Sequence, residues 1–237
     1  MIVVDGKEVF TDLSELVAVE HTALVIIDMQ RDFVESDGLF ARLGVDVSAY
    51  EDVVPAIADL RGRAAAAGVL VVHVQNAALP NRMSDSPAQI RFNMRMHGME
   101  RGDGPPLCYT VPGTSGFQFV PALSPRAGEL VVTKYRSSAF WGTNLELLLR
   151  SNGIRSVVIV GCTTEGCVES TARDAMFNDY YVVLAEDCVA SDDPAQHEAA
   201  MLLMRHRFDL ARADDIARAW AAPRRATGGC CSGTAAG

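Results

Sequence analysis

No stretch of the chain approaches the roughly 20 apolar residues that a helix needs to cross a bilayer, so no membrane-spanning helix is expected. Basic charge is also scarce. Lys and Arg total 21 against 30 Asp and Glu, giving a formal charge of −9, so the clustered cations that a phosphate backbone demands are missing and nucleic acid is excluded as a partner. The opening residues, Met-Ile-Val-Val-Asp-Gly-Lys-Glu, carry early charges and lack the apolar core of a secretory signal. Six cysteines in such a chain are expected to be reduced thiols of a cytoplasmic protein, not a disulfide framework. Gly161 to Cys167 lacks the Gly-x-Gly-x-x-Gly spacing and no Gly-Lys-Ser/Thr occurs, which removes a dinucleotide-binding oxidoreductase. There is no internal repeat, and Cys162, Cys167 and Cys188 do not have zinc-finger spacing.

What the chain does have is apolar mass in a regular order. With 237 residues and 49% hydrophobic content it can bury a large core in one domain. Nearly continuous apolar runs at Thr22–Ile27, Val69–Gln75, Leu130–Thr133, Ser156–Gly161 and Tyr181–Glu186 have the form of strands covered on both faces, with Phe208–Ala211 as a sixth. Helical patterns fall between them at Val53–Ala67, Asn144–Ser151 (with Thr143 and Glu146 as a capping box), Pro194–His206 behind Asp193, and Asp214–Trp220. The alternation predicts an α/β fold, a three-layer doubly wound sheet of about six mainly parallel strands with helices on both faces. A single domain over 1–221 is expected, with an arm at 1–19 and a core at 20–221. Ala77–Ala127 reads as a long functional loop, and 222–237 as a disordered tail in which Cys230 and Cys231 are mobile thiols with no assigned role.

In open parallel sheets ligands bind beyond the carboxyl ends of the strands, so the residues just after each run carry the chemistry. Asp28 ends the first run, Lys134 the third, and Cys167 follows the fourth in Gly161-Cys-Thr-Thr-Glu-Gly-Cys167. Val168, Ala172, Ala175 and Met176 continue at helical spacing, which sets the first helical turn near Glu165–Val168 and the sulfur near its amides. Thiol pKa values of about 3.5–7.5 occur in such settings, so a thiolate is expected. A carboxylate, an ammonium and a thiol at one sheet edge form a nucleophilic constellation, in which the carboxylate takes the thiol proton and returns it to a leaving amine.

The segments around these three residues resemble those of the cysteine hydrolases of the isochorismatase-like superfamily, over about Thr22–Trp220, with Gly-Cys-Thr-Thr-Glu-Gly-Cys-Val the most distinctive. The resemblance implies Cys167 as nucleophile, Asp28 as general base and acid, and Lys134 as third member of a triad. It also implies a cis peptide between Cys162 and Thr163, an oxyanion hole from the amides of Thr163 and Cys167, and homodimers or homotetramers. The expected activity is hydrolysis of a small amide, carbamoyl or ureido compound through an acyl-thioenzyme, with release of ammonia.

Within that superfamily the chain is most similar to the N-carbamoylsarcosine amidohydrolase branch, with biuret and ureidoacrylate hydrolases as relatives. Lys134–Thr143 and Glu186-Asp-Cys-Val-Ala carry this similarity. Ser191-Asp192-Asp193 stands where the branch has a carboxylate-binding arginine, leaving Arg82, Arg91, Arg95 or Arg136 to serve an acidic substrate. The other expected substrate contacts are Gln75, Asn76, Phe33, Phe140, Trp141 and Ser191. No metal and no cofactor are expected, because Val72-His73-Val-Gln75-Asn76 lacks the Asp-x-His pattern of nicotinamidase-like members and His73 reads as a hydrogen-bonded core residue. The alternatives are a nicotinamidase-like or maleamate-like amidase, and a non-catalytic binding relative.

Overall fold

The computed structural model describes residues 1–96 and 108–222. The expected tail, with Cys230 and Cys231, lies outside these residues except for Ala222. The chain opens with an antiparallel hairpin, β1 (Ile2–Val4) and β2 (Lys7–Val9), and a single-turn helix α1 (Leu13–Leu16). Then follow β3 (Thr22–Ile27), the short helices α2 (Arg31–Val34) and α3 (Leu39–Arg42), α4 (Ser48–Ala67), β4 (Leu70–Asn76), α5 (Pro87–Met96) and β5 (Leu130–Lys134). The second half runs through α6 (Leu145–Ser151), β6 (Ser156–Cys162), a π-type turn at Thr164–Val168, α7 (Glu169–Phe177), β7 (Tyr181–Ala190), α8 (Pro194–Arg205), β8 (Asp209–Ala211) and α9 (Ala213–Ala221). None of the described helices is long and apolar enough to cross a membrane.

β3 to β8 form one sheet in the order β5-β4-β3-β6-β7-β8, parallel at each pairing. The chain lays β4 and β5 on one side of β3, then crosses back to start β6 on the other, so the topological switch lies between β3 and β6. That is where a doubly wound sheet opens a crevice at its carboxyl edge. Successive residues of each strand face opposite layers. Leu24, Ile26, Val158 and Val160 pack with Ile57 and Leu60 of α4 and Ile216 and Trp220 of α9. Ala23, Val25, Val157 and Ile159 pack with Leu145 and Leu149 of α6, Ala172 and Ala175 of α7, and Met204 of α8. Apolar cover on both faces is why these strands carry no alternating polar residues. The 1–19 arm is tied to the body where the Trp220 indole donates to the Val17 carbonyl at 2.9 Å.

Local details depart from the sequence expectations in instructive places. α4 starts at Ser48, so Pro55 sits inside the helix; burial of Tyr50 and Ile57 on either side holds the turns together across the missing N–H. Helix α6 begins after Asn144, and Thr143 accepts the Leu145 amide at 3.1 Å without the reciprocal Glu146 bond of a capping box. Within the stretch expected to be a structureless loop, Pro87–Met96 is the helix α5. β7 runs on past Glu186 to Ala190 because its register against β6 shifts between Ile159 and Gly161. The extra residues carry Asp187, whose carboxylate accepts the Ala213 amide at the start of α9, 2.8 Å away. Asp193 caps α8 as its position suggested, accepting the Ala195 and Gln196 amides at 2.8 and 3.2 Å.

Gly161 makes the close crossing of β6 and β3 possible. Its φ is +117°, and a Cβ there would stand 2.1 Å from the Ile27 carbonyl oxygen. Gly161→Ala therefore combines an unfavourable backbone with a backbone clash, and chemical denaturation is expected to report a loss of about 2–4 kcal/mol; an unchanged midpoint and slope would refute this account of the crossing.

Candidate active site

Two strand-end residues and one from the turn after β6 converge at the carboxyl edge of the sheet. Asp28 leaves β3 with φ +53°, its amide held by the Val74 carbonyl at 2.9 Å. Lys134, the last residue of β5, reaches under the end of β4 so that its Nζ lies 2.7 Å from Asp28 Oδ2. The same nitrogen donates to Cys167 Sγ at 3.2 Å and to the Arg136 carbonyl at 3.1 Å, which places all three ammonium protons. Cys167 approaches from the β6 side, inside the π-type turn that precedes α7. The Cys162–Thr163 peptide is cis, as the resemblance implied.

Burial governs the electrostatics. It pushes the Asp28 carboxyl above the usual aspartate range in spite of the Lys134 charge beside it. Burial also works against the Lys134 ammonium, but the adjacent Asp28 and Cys167 outweigh it and hold the lysine above its ordinary value. The Cys167 thiol is pushed up to about 12 by burial, with Lys134 opposing and the Asp28 charge adding to the rise. This corrects the expected thiolate: the helical amides do not offset the loss of water and the carboxylate next door. The resting sulfur is a thiol, within an array whose carboxylate can receive its proton.

The triad opens on a cavity of about 400 Å³. Of the residues assigned from the sequence, Asp28, Cys167, Thr163, Asn76, Phe33 and Arg136 line it. Lys134 is wholly buried behind them. Four other expected contacts are not in the lining. Gln75 faces the side of β4 opposite to Asn76 and donates to Thr133 Oγ1 at 2.8 Å. Phe140 packs beside Tyr180 with ring centroids 5.9 Å apart, and Trp141 stands on the surface, 70% exposed. Ser191 is buried with its hydroxyl accepting the Asp193 amide at 3.3 Å. Of the arginines considered for an acidic substrate, Arg136 alone is in the lining; its Nη1 donates to the carbonyls of Ser84 (3.1 Å) and Tyr135 (2.5 Å). His73 lies inside β4, 2.9 Å from Glu129 Oε2, a carboxylate that Arg61 also grips at 2.6 Å. Among the described residues, no three His, Cys, Asp or Glu side chains are grouped to hold a metal.

Other lining residues were not assigned to the site from the sequence. Asp192 is turned to the cavity by Tyr50, whose hydroxyl donates to Asp192 Oδ1 (2.5 Å) and accepts the Asp192 amide (2.9 Å) across 142 positions. Phe40 and Tyr109 form an edge-to-face cluster with Phe33, at centroid distances of 4.9–5.7 Å. Glu165 also lines the cavity, and its Oε2 is buried without a hydrogen-bond partner. For Glu165 a signal was available: it sits two residues before Cys167 in the most distinctive turn. Buried Gln30 fastens this wall, donating to the carbonyls of Asn76 (3.0 Å) and Phe117 (2.9 Å) and accepting the Asn76 amide (2.7 Å).

A family model described as Isochorismatase domain matches residues 22–212. The ureidoacrylate amidohydrolase RutB of Enterobacter sp. (strain 638) is 34% identical over 194 residues, covering 81% of this chain and 84% of that protein. Among solved structures, an isochorismatase family protein from Desulfovibrio vulgaris subsp. vulgaris str. Hildenborough superposes with a TM-score of 0.71 at 31% identity, covering 86% of this chain and 100% of that one. N-carbamoylsarcosine amidase from Thermoplasma acidophilum gives 0.63 at 27% identity, over 82% and 97% of the two chains.

A thiol with a raised pKa has a small thiolate fraction at neutrality that grows as pH rises. Alkylation of Cys167 by iodoacetamide, followed by mass spectrometry of its peptide, is expected to accelerate through the alkaline range without levelling off below pH 9. A plateau between pH 5 and 7 would mean a preformed thiolate.

Proposed function

The chain belongs to the isochorismatase-domain family, and from that premise we propose that it is a cysteine amidohydrolase that cleaves a C–N bond of a small carbamoyl or ureido compound through an acyl-thioenzyme and releases ammonia. The observation that carries this reading is the contact of Lys134 with both Asp28 and Cys167 at the wall of one cavity.

In the proposed sequence, Asp28 accepts the thiol proton as Sγ attacks the carbonyl, and the amides of Thr163 and Cys167 hold the oxygen that becomes negative. Asp28 then passes the proton to the departing nitrogen, so the C–N bond breaks with loss of neutral ammonia. A water molecule takes the place of the ammonia, gives its proton to Asp28 and adds to the thioester. Collapse restores the thiol and releases the acid; from a ureido substrate that acid is a carbamate, which decays to amine and carbon dioxide. A carboxyl raised by burial suits this double duty, since it must gain and lose a proton in each turnover.

Polar groups around the triad favour a ureido head over a simple amide. The Asn76 side-chain amide donates to Thr110 Oγ1 at 2.9 Å, which leaves its carbonyl oxygen as the group offered to a ligand. That oxygen and the Glu165 carboxylate, which also lines the cavity, are acceptors suited to the N–H groups of a ureido head. Arg136 supplies a cation for a carboxylate elsewhere in the substrate.

An ammonia-release screen over N-carbamoyl amino acids, biuret, ureidoacrylate, nicotinamide and maleamate is expected to find turnover among the carbamoyl and ureido compounds. Cys167→Ala should abolish it with an unchanged circular dichroism spectrum, and Asp28→Asn should cost about 10²–10⁴-fold in kcat. Near-normal turnover by the Cys167 variant would end the thioenzyme mechanism.

A further inference from the structure

The cavity is larger and more apolar than a ureido group with a small acid requires. Its volume of about 400 Å³ equals that of roughly a dozen molecules of liquid water, and it falls in the range of sites that enclose drug-sized ligands. The polar groups already assigned, Asp28, Cys167, Asn76, Glu165 and Arg136, account for part of the lining. Much of the remainder is aromatic and aliphatic. Phe33, Phe40 and Tyr109 form one packed edge-to-face cluster on the wall. Leu43, Phe92 and Met96 also line the cavity while 44%, 46% and 50% exposed.

A scattered exposed apolar residue needs no explanation, but three converging on one cavity already lined by an aromatic cluster form a surface that a ligand would remove from water. Phe92 and Met96 come from α5. They lie four residues apart and so share one face of that helix, the spacing by which a helix presents neighbouring side chains to a single partner.

We propose that the substrate carries a bulky apolar substituent on the ureido nitrogen, as in an N-carbamoyl amino acid with a large aliphatic or aromatic side chain, and that Phe33, Phe40, Tyr109, Leu43, Phe92 and Met96 form its subsite. The inference deepens the amidohydrolase reading and rests on it. The carbamoyl carbonyl meets Cys167, the carboxylate meets Arg136, and the side chain occupies the apolar wall. Transfer of that side chain from water supplies binding energy remote from the reacting carbonyl, where it can position the C–N bond against the sulfur.

The test uses the full chain and the N-carbamoyl derivatives of glycine, alanine, leucine and phenylalanine, in both enantiomers. Affinities are measured by calorimetry on Cys167→Ala, and kcat/KM by ammonia release on the unmodified enzyme. For the better enantiomer, affinity is expected to rise roughly two- to fourfold per added methylene equivalent. Phe92→Ala, at a half-exposed site whose truncation leaves no core cavity, should weaken the phenylalanine derivative about tenfold and the glycine derivative far less. Affinities that stay flat or fall with side-chain size, or a Phe92→Ala variant that treats both ends of the series alike, would overturn the subsite. Binding that rises with size while no member is hydrolysed would keep the subsite and overturn the amidohydrolase reading, so the two failures are distinguishable.

Discussion

Everything at the carboxyl edge of the sheet depends on the 2.7 Å contact between Asp28 and Lys134, two charges that are both almost entirely withdrawn from water. Burying either ion alone costs several kcal/mol, and each offsets that cost only in the presence of the other. The contact in turn requires β5 to run two residues further along β4 than β3 does, so that Lys134 stands near the residue that follows Ile27. The register does this: Asn76 of β4 lies beside Lys134, while Val74, two residues earlier, lies beside Ile27 and accepts the Asp28 amide. A one-residue slip of β5 would send the ammonium to the other face of the sheet. The third partner arrives from the opposite side, carried by β6 past the glycine that lets that strand lie against β3.

In the proposed mechanism, the charge balance of the three groups accounts for proton transfer in a dry setting. Thiol, carboxylate and ammonium together carry no net charge. After the proton moves from sulfur to carboxyl, the thiolate, the neutral acid and the ammonium again sum to zero. Lys134 touches both places where the negative charge resides, so the charge shifts within the field of one cation instead of being created in a region that cannot solvate it. A thiol pushed up by burial is therefore compatible with reactivity, because its partner in the proton transfer is pushed up by the same burial.

The sheet was legible because both of its faces are covered: strands such as Val157–Val160 are apolar at every position, and no helix of that length competes with the reading. The meeting of Asp28 and Lys134 was legible for the same reason, since the end of an apolar run marks the sheet edge where both stand. What escaped has equally physical causes. In α5, Ile90, Phe92, Met94 and Met96 alternate with Arg91, Asn93 and Arg95, a period of two that disguises a half-exposed helix. Asp192 owes its orientation to Tyr50, a partner no local pattern reveals. Trp141 and Phe140 are aromatic residues near a catalytic motif, but one stands in solvent and the other packs on Tyr180, since nearness along the chain does not choose the side of a turn. The thiolate was misjudged because helix geometry can be read from sequence, whereas the depth of burial that overrides it cannot.

The chain contains only two lysines, Lys7 and Lys134. Lys134 is sealed beneath Asp28 and the cavity wall, its ammonium proton-bound and engaged by three acceptors, while Lys7 is exposed on the hairpin β1–β2. Activated-ester dyes and immobilisation resins therefore meet a single accessible lysine, on the same hairpin as the α-amine of Met1, and neither amine takes part in lining the cavity. The scarcity that leaves Lys134 the single buried lysine also gives the protein a built-in attachment point, with its orientation on a support set by the amino-terminal hairpin.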